Sequence, residues 1–378
     1  MKFAIYTNSV SAHQLPLARE LAKLVGADNF AYIYAADTPR GNQLVDADDP
    51  WIARFEKGSE AEHIVETCDA LLVGGIRPID LIEQRVVKGK PTLFMSERWF
   101  KPMKLFNVRL AGGLCEVTLP GWTRLFSPRY FCMAMRFARL LGSPAYRFLP
   151  IGPWSERDMR LTLSVMHGAG LAKRIENIDE AFFPWGDFVA PSDAPRDRGE
   201  ITPPVKVLWA GRMIDWKRVD TLVRAVAYVN STVGGKRASL TLVGGGPETP
   251  RLERLARRLT GRLRLADCEW IRFMPPVTIG EIRPLMRAHD LYVLPSSSQE
   301  GWGCVVNEAL EEGMRVLGTF EAGAPAAMLP ATNLFHCGDW RGLAKAISGE
   351  VPLVPVGRWS AAAAATRLLA EAESMARR

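Results

Sequence analysis

Short apolar runs alternate with amphipathic stretches along this chain, and the alternation occurs twice. The first series has strand-like runs at Lys2–Thr7, Ala31–Ala35, Ala70–Gly74, Pro91–Ser96 and Tyr146–Gly152. Between them lie helix-like stretches at Leu15–Val25, Ile79–Val87 and Pro128–Leu141. The second series has strands at Val205–Trp209, Ser239–Val243, Trp270–Phe273, Leu291–Leu294 and Arg315–Gly318. Its helices are Arg218–Val229, Glu248–Leu259, Ile279–Ala288 and Val305–Glu312. Strand and helix in strict turn argue for parallel sheets covered on both faces. The expected fold class is therefore α/β, with two doubly wound, Rossmann-like domains. Ligands of such sheets bind beyond the carboxyl ends of the strands, so the cleft between the domains is the default site.

The texture changes at Pro191, in "PSDAPRDRGEITPP", which is rich in proline and charge. Segments of this kind mark linkers. The expected layout is an N-terminal acceptor-side domain over 1–190, a linker over 191–204 and a C-terminal domain over 205–357. A closing helix over 358–378, alanine-rich and ending in Arg-Arg, packs back on the N-terminal domain.

Composition excludes several classes. Of 378 residues, 48% are hydrophobic and 24% charged, enough for two cores. No apolar run approaches the roughly 20 residues that span a bilayer, and the first residues lack the apolar core of a signal peptide. The six cysteines form no C-x-x-C pair, which fits reduced thiols and a cytoplasmic protein. From Glu97 to Arg174 there are thirteen Lys or Arg against four Asp or Glu, an excess larger than the whole chain's +7. Such a segment is either a solvated face or a surface for phosphates, anionic membrane or nucleic acid.

The stretch "SSSQEGWGCVVNEAL", 296–310, sits where a strand ends and a helix begins. Gly301 and Gly303 permit a tight turn, and the first amides of the helix, near Cys304 and Val305, lack internal partners and favour an anion. Glu308 lies one turn inside and suits the paired hydroxyls of a ribose. Glu300, before the turn, suits another hydroxyl-rich group. Phosphate in the middle with hydroxyls on either side describes a nucleotide sugar; the bland alternative is a plain loop with two surface glutamates. In "VLWAGRMIDWKRVDTL", Gly211 ends a strand and Arg212 and Lys217 follow it, cations of the kind a pyrophosphate needs. "LVGGGPE" adds a third glycine-rich turn at Gly244, weak as a signal by itself.

Taken in order, "AGRMIDWKRVDTLVRAV", "LTLVGGGPETPRLERLA" and "MRAHDLYVLPSSSQEGWGCVVNEALEEGMRVLGT" resemble the family-4 glycosyltransferases, which have the two-domain GT-B architecture. The resemblance covers 205–348 and is weaker before it. It implies that Glu300 contacts the donor sugar, Glu308 the ribose hydroxyls, and Arg212 and Lys217 the diphosphate. Backbone amides around Trp302, Gly303 and Cys304 would complete the cradle. It further implies a retaining, metal-independent transferase without a cofactor, serving polysaccharide or glycolipid synthesis. Many members carry a Gly-Gly turn after the first strand; here the loop is "TNSVSAHQ", and His13 in it is a candidate contact to phosphate or acceptor, or a local helix-start residue. Many also carry an acid after the last strand, where this chain has "EAGAPAAML". The letters Asp-x-Asp occur only at Asp46–Asp48, away from these motifs.

Two questions stay open at this level. "SPRYFCMAMRFARLLG", 127–142, places Arg129, Arg136 and Arg139 on one helical edge. That edge either docks on an anionic membrane at its inner face to reach a lipid-linked acceptor or is the wet side of a core helix. The competing functions are a nucleotide-sugar epimerase or hydrolase of the same architecture and a non-catalytic nucleotide-sugar binder. A nucleic-acid partner is disfavoured because no reading helix is present.

Overall fold

The computed structural model describes residues 1–11, 13–35, 49–75, 77–110, 113–171, 175, 178–183, 201–232, 237–263, 265, 269–357 and 359–378. Most of the expected linker, 191–200, and the Asp46–Asp48 letters lie outside the described residues. The chain forms two compact units. One comprises Met1–Phe100, Gly121–Ala190 and Ser360–Arg378; the other comprises Lys101–Pro120 and Pro191–Trp359.

The first unit is built on a six-stranded parallel sheet in the order β3-β2-β1-β4-β5-β8. The strands are β1 (Phe3–Thr7), β2 (Phe30–Tyr34), β3 (Ile52–Arg54), β4 (Ala70–Gly74), β5 (Thr92–Ser96) and β8 (Tyr146–Pro150). Residues 3–7, 70–74, 92–96 and 146–150 are buried throughout, which is why they read as unbroken apolar runs. Its helices are α1 (Leu15–Val25), α2 (Glu60–Thr67), α3 (Ile79–Val87), α4 (Pro128–Leu140) and α5 (Pro153–Gly168). The C-terminal helix α12 (Ala361–Ala376) packs on α1. Glu371 of α12 accepts a hydrogen bond from Arg147 Nε at 2.9 Å, and that guanidinium is almost wholly buried.

Arg85 is 1% exposed and has no acid for a partner in its hydrogen bonds. It donates instead to the carbonyls of Val65, Glu66, Cys68 and Pro91 and to Thr92 Oγ1. The carbonyls of Val65, Glu66 and Cys68 lie in the last turn of α2 or just past it, where carbonyls lack helical partners and cations are favoured.

The second unit repeats the plan. Its parallel sheet runs β11-β10-β9-β12-β13-β14, with β9 (Val205–Ala210), β10 (Ala238–Val243), β11 (Ile271–Met274), β12 (Leu291–Leu294), β13 (Arg315–Thr319) and β14 (Leu334–Phe335). Around it lie α6 (Val219–Thr232), α7 (Thr249–Arg262), α8 (Ile279–Ala288), α9 (Val305–Glu311), α10 (Gly323–Met328) and α11 (Trp340–Ile347). Local chemistry sets the starts: Thr278 and Glu281 form a reciprocal capping box on α8, and Asp339 accepts from Gly342 N on α11. This unit also holds an antiparallel hairpin, β6 (Met103–Leu110) and β7 (Gly113–Leu119). Its sequence lies inside the first series, and the alternation gave no sign of it.

Candidate functional site

Each sheet reverses its strand order once. In the second unit the reversal falls between β9 and β12, and a doubly wound sheet binds its ligand at such a switch point. The loop after β9 carries Gly211, Arg212 and Lys217. The loop after β12 carries Glu300, Gly301, Trp302, Gly303 and Cys304, and then α9 carries Glu308. Apart from Gly244, which follows β10, the residues singled out from sequence in this half therefore belong to the two loops that flank the crevice or to the helix that follows the second.

The two loops are bonded to each other. Ser297 N donates to Trp216 O at 2.7 Å. Lys217 Nζ meets the Glu300 carboxylate at 2.5 Å, with side chains only 17% and 12% exposed. Sequence reasoning gave these two side chains separate tasks, on diphosphate and on sugar; here they form one largely buried ion pair. Arg218, next in the chain, is buried and left-handed at φ 47°. A non-glycine residue in that region is strained, and such strain persists only where the surroundings enforce it. Arg212, by contrast, is exposed at the end of β9.

Glu308 is 8% exposed on α9. Burial pushes its carboxyl up to about 7, against the opposing pull of the Arg283 guanidinium. Arg283 itself is held by Glu311 at 2.7 Å and by the Glu308 carbonyl at 3.4 Å. Tyr292 lies beneath, fully buried, with its hydroxyl donating to Ala210 O at 3.2 Å. Its hydroxyl is held well above the ordinary tyrosine value, by burial first and then by Glu308 and Glu300.

Trp302 is buried and donates from Nε1 to Asn307 Oδ1 at 2.9 Å. The amide of Ala324 donates to the Trp302 carbonyl at 2.8 Å. A Cβ on Gly323 would lie 2.2 Å from Gly301 O, so the segment "EAGAPAAML" supports the turn by close backbone approach. Gly244 behaves likewise: a Cβ there would fall 1.9 Å from Gly211 O. There the missing side chain lets the protein's own β9 loop come close. Cys304 precedes α9, and the amides of Val306 and Glu308 are taken by Gly303 O and Cys304 O.

The hairpin supplies what sequence reasoning missed. Lys101 Nζ donates to Gln299 O at 3.1 Å, Gln299 Nε2 donates to Pro102 O, and Lys104 pairs with Asp215. Gln299 precedes Glu300 and Asp215 stands two residues before Lys217, so the base of the hairpin grips both loops. No motif in the sequence linked 101–104 to these positions.

His13 belongs to the first unit. It is half-buried in the turn before α1, with its amide donating to Ser11 Oγ at 3.3 Å. Among the described residues no cluster of three His, Cys, Asp or Glu side chains is placed to hold a metal ion.

Comparison with known proteins bears on both units. Residues 204–349 match the family model described as glycosyl transferases group 1. A D-inositol 3-phosphate glycosyltransferase of Actinosynnema mirum is 35% identical over 160 residues, 39% of this chain and 38% of that protein. One of Streptomyces avermitilis is 36% identical over 124 residues, 32% of this chain and 26% of that protein. The matches thus span about a quarter to two fifths of the length of these relatives. Among solved structures, Anabaena Alr3699/HepE in complex with UDP is similar at 16% identity, covering 99% of this chain and 96% of that one, TM-score 0.56. A UDP-forming trehalose-phosphate synthase of Burkholderia xenovorans is similar at 11% identity, covering 100% and 95%, TM-score 0.60. The fold is that of the GT-B glycosyltransferases, two Rossmann-like α/β domains in one chain, and residues 204–349 carry the sequence likeness to glycosyl transferases group 1.

Proposed function

We propose that the chain is a retaining glycosyltransferase that moves a sugar from a nucleotide-diphosphate sugar to a hydroxyl acceptor. The observation that carries the reading is the crevice between β9 and β12, whose two loops carry Arg212 and the largely buried Lys217–Glu300 pair and whose following helix carries a buried acid, Glu308. A diphosphate entering there draws the Lys217 ammonium toward itself and releases the Glu300 carboxylate to the sugar hydroxyls. Arg212 adds a second cation. Charge that develops on the leaving diphosphate is thus met by groups already in place, the usual source of large rate effects. Glu308 accepts from the ribose hydroxyls. These groups neutralise the diphosphate without recourse to a metal, and the acceptor hydroxyl attacks from the face the leaving group departs.

The similar proteins guide the choice of substrates. The curated relatives are named for D-inositol 3-phosphate, and one structural neighbour holds UDP. UDP-sugars and phosphorylated polyols are accordingly the first donor and acceptor classes to try. A glycolipid or polysaccharide precursor is the broader acceptor class. On α4, Arg136 is taken by Asp80 at 2.5 Å and by Glu83, while Arg129 and Arg139 remain exposed. Membrane contact through that segment would rest on these two. Cys68 and Cys132 are free thiols, in keeping with a cytoplasmic site of action.

The test is thermal shift against UDP, GDP, ADP and their sugars, repeated on Glu308→Ala. A ligand of the folded state raises the melting temperature by mass action. One nucleotide family should stabilise the wild type and lose that effect in the variant. Absence of any shift at saturating ligand overturns the reading. Binding without transfer to any acceptor favours the non-catalytic binder, and free or epimerised sugar favours the hydrolase or epimerase. Retention is then read from the anomeric proton of the product.

A further inference from the structure

Helix α7 carries five arginines and one acid, Glu253. Leu252, Leu255 and Ala256 are buried against the second unit. On the opposite side Arg251, Arg254, Arg257, Arg258 and Arg262 are all exposed. At 100° per residue these five fall within an arc of about 140°. Arg251 is partly neutralised by Glu248 and by Asp220 at 3.9 Å. Arg254, Arg257, Arg258 and Arg262 form no ion pair among the described residues. A merely solvated face mixes both signs, since like charges three or four residues apart repel and weaken the helix. This face concentrates one sign over about 16 Å of helix.

We propose that α7 is an electrostatic docking surface for an anionic lipid bilayer. The proposal does not depend on the transfer reaction. Its apolar face is already buried, so the helix lies on the headgroups and does not insert. The contact is made by guanidinium–phosphate pairing, which Arg suits by its fixed fork of donors. A cluster of about four to eight basic residues suffices to hold a protein at an anionic leaflet, and α7 supplies that number. Duplex DNA would typically engage about six to ten phosphates from several elements. Single strands would want aromatic platforms for stacking, and α7 has no aromatic residue.

The experiment is flotation of the full chain with vesicles of phosphatidylcholine alone and with phosphatidylglycerol added, at low and high salt. The wild type should float only with the anionic vesicles and leave them as salt rises. Each Arg→Gln change at 254, 257, 258 or 262 should weaken partition about fivefold, and the four together several-hundredfold. Glutamine is a good helix former, and an unchanged melting temperature certifies the fold. Replacing Arg129 and Arg139 on α4 by Gln should leave flotation near the wild-type level. The proposal falls if the wild type ignores anionic vesicles at low salt, if the quadruple variant floats as well as wild type, or if the α4 variant is the one that fails. It also falls if duplex DNA at the same salt binds as strongly and competes the vesicles away.

Discussion

The two sheets share one strand order, and each reverses between its third and fourth strand in space, yet the loops at the two reversals are furnished differently. In the first unit the loop after β1 is held by neutral polar groups. Tyr32 Oη donates to Gln14 Oε1 at 2.6 Å, and Thr7 Oγ1 donates to Ser9 O at 2.9 Å. In the second unit the same position carries cations and carboxylates at partial burial. Charges are placed at such depth only where something repays their desolvation. The fold supplies two crevices of one geometry, and side-chain chemistry charges one of them and leaves the other neutral. Lys217→Ala should break this contrast most severely. Loss of one preorganised charge at a leaving group costs about 10²–10³ in kcat, measured with saturating nucleotide sugar and acceptor. His13→Ala should leave nucleotide affinity unchanged. If His13 proves the more important of the two for nucleotide, the assignment of crevices is reversed.

A second difference is that the charged crevice is assembled from backbones in near contact. Gly244→Ala would press a methyl to within 1.9 Å of Gly211 O, at a φ of 128° that side chains rarely adopt. Overpacking and backbone strain of this kind cost about 1–3 kcal/mol each. Gly58→Ala in the first unit also meets a positive φ, 81°, but nothing lies within 4 Å, so only the left-handed penalty of about 1–2 kcal/mol remains. Urea midpoints should therefore fall further for Gly244→Ala, and nucleotide affinity should fall with them in that variant alone. Equal losses would mean that the loops have room to part.

Much of this architecture could be read from residues alone. Leu15–Val25, Ile79–Val87, Ala70–Gly74, Ile279–Ala288 and Leu291–Leu294 were expected with the bounds observed, because buried parallel strands are plain apolar runs and their helices have one apolar face. The charged residues of the second unit were legible for the same reason: they follow strands whose ends could be located. What escaped was anything fixed by contacts remote in sequence. β3 is three residues long, too short for periodicity to show. The hairpin interrupts the first series and joins the second unit through Gln299 and Asp215. The ion pair Lys217–Glu300 spans 83 positions, and sequence places such residues in loops without saying that the loops touch.

The pH dependence of the charged crevice gives a smaller, signed effect. Glu308 has its folded value raised from 4.5 to about 7, so the folded state holds a proton that the unfolded state has lost between those values. Stability from this group is present at low pH and declines as pH rises through 7. Ligand binding runs the other way if the ionised carboxylate accepts the ribose hydroxyls. Affinity should rise about tenfold per unit up to pH 7 and level off above it, as titration calorimetry would measure. Glu308→Gln should flatten both slopes. A nucleotide affinity that falls with rising pH would show that the neutral acid is the binding form.

The smallest expected effect tests the hairpin's hold on the charged crevice. Gln299 is tethered twice to the chain at 101–102, through its side chain to Pro102 O and through its carbonyl to Lys101. Gln299→Ala removes the first tether and leaves the second. One hydrogen bond is worth about 1 kcal/mol, so donor KM should rise about fivefold while the melting temperature barely moves. The rise should appear in KM more than in kcat, because Glu300 and Lys217 retain each other and only their placement loosens. No change in KM would mean that the β12 loop needs no help from the hairpin, and the second unit would then build its site from its own sheet, as the first unit builds its neutral crevice.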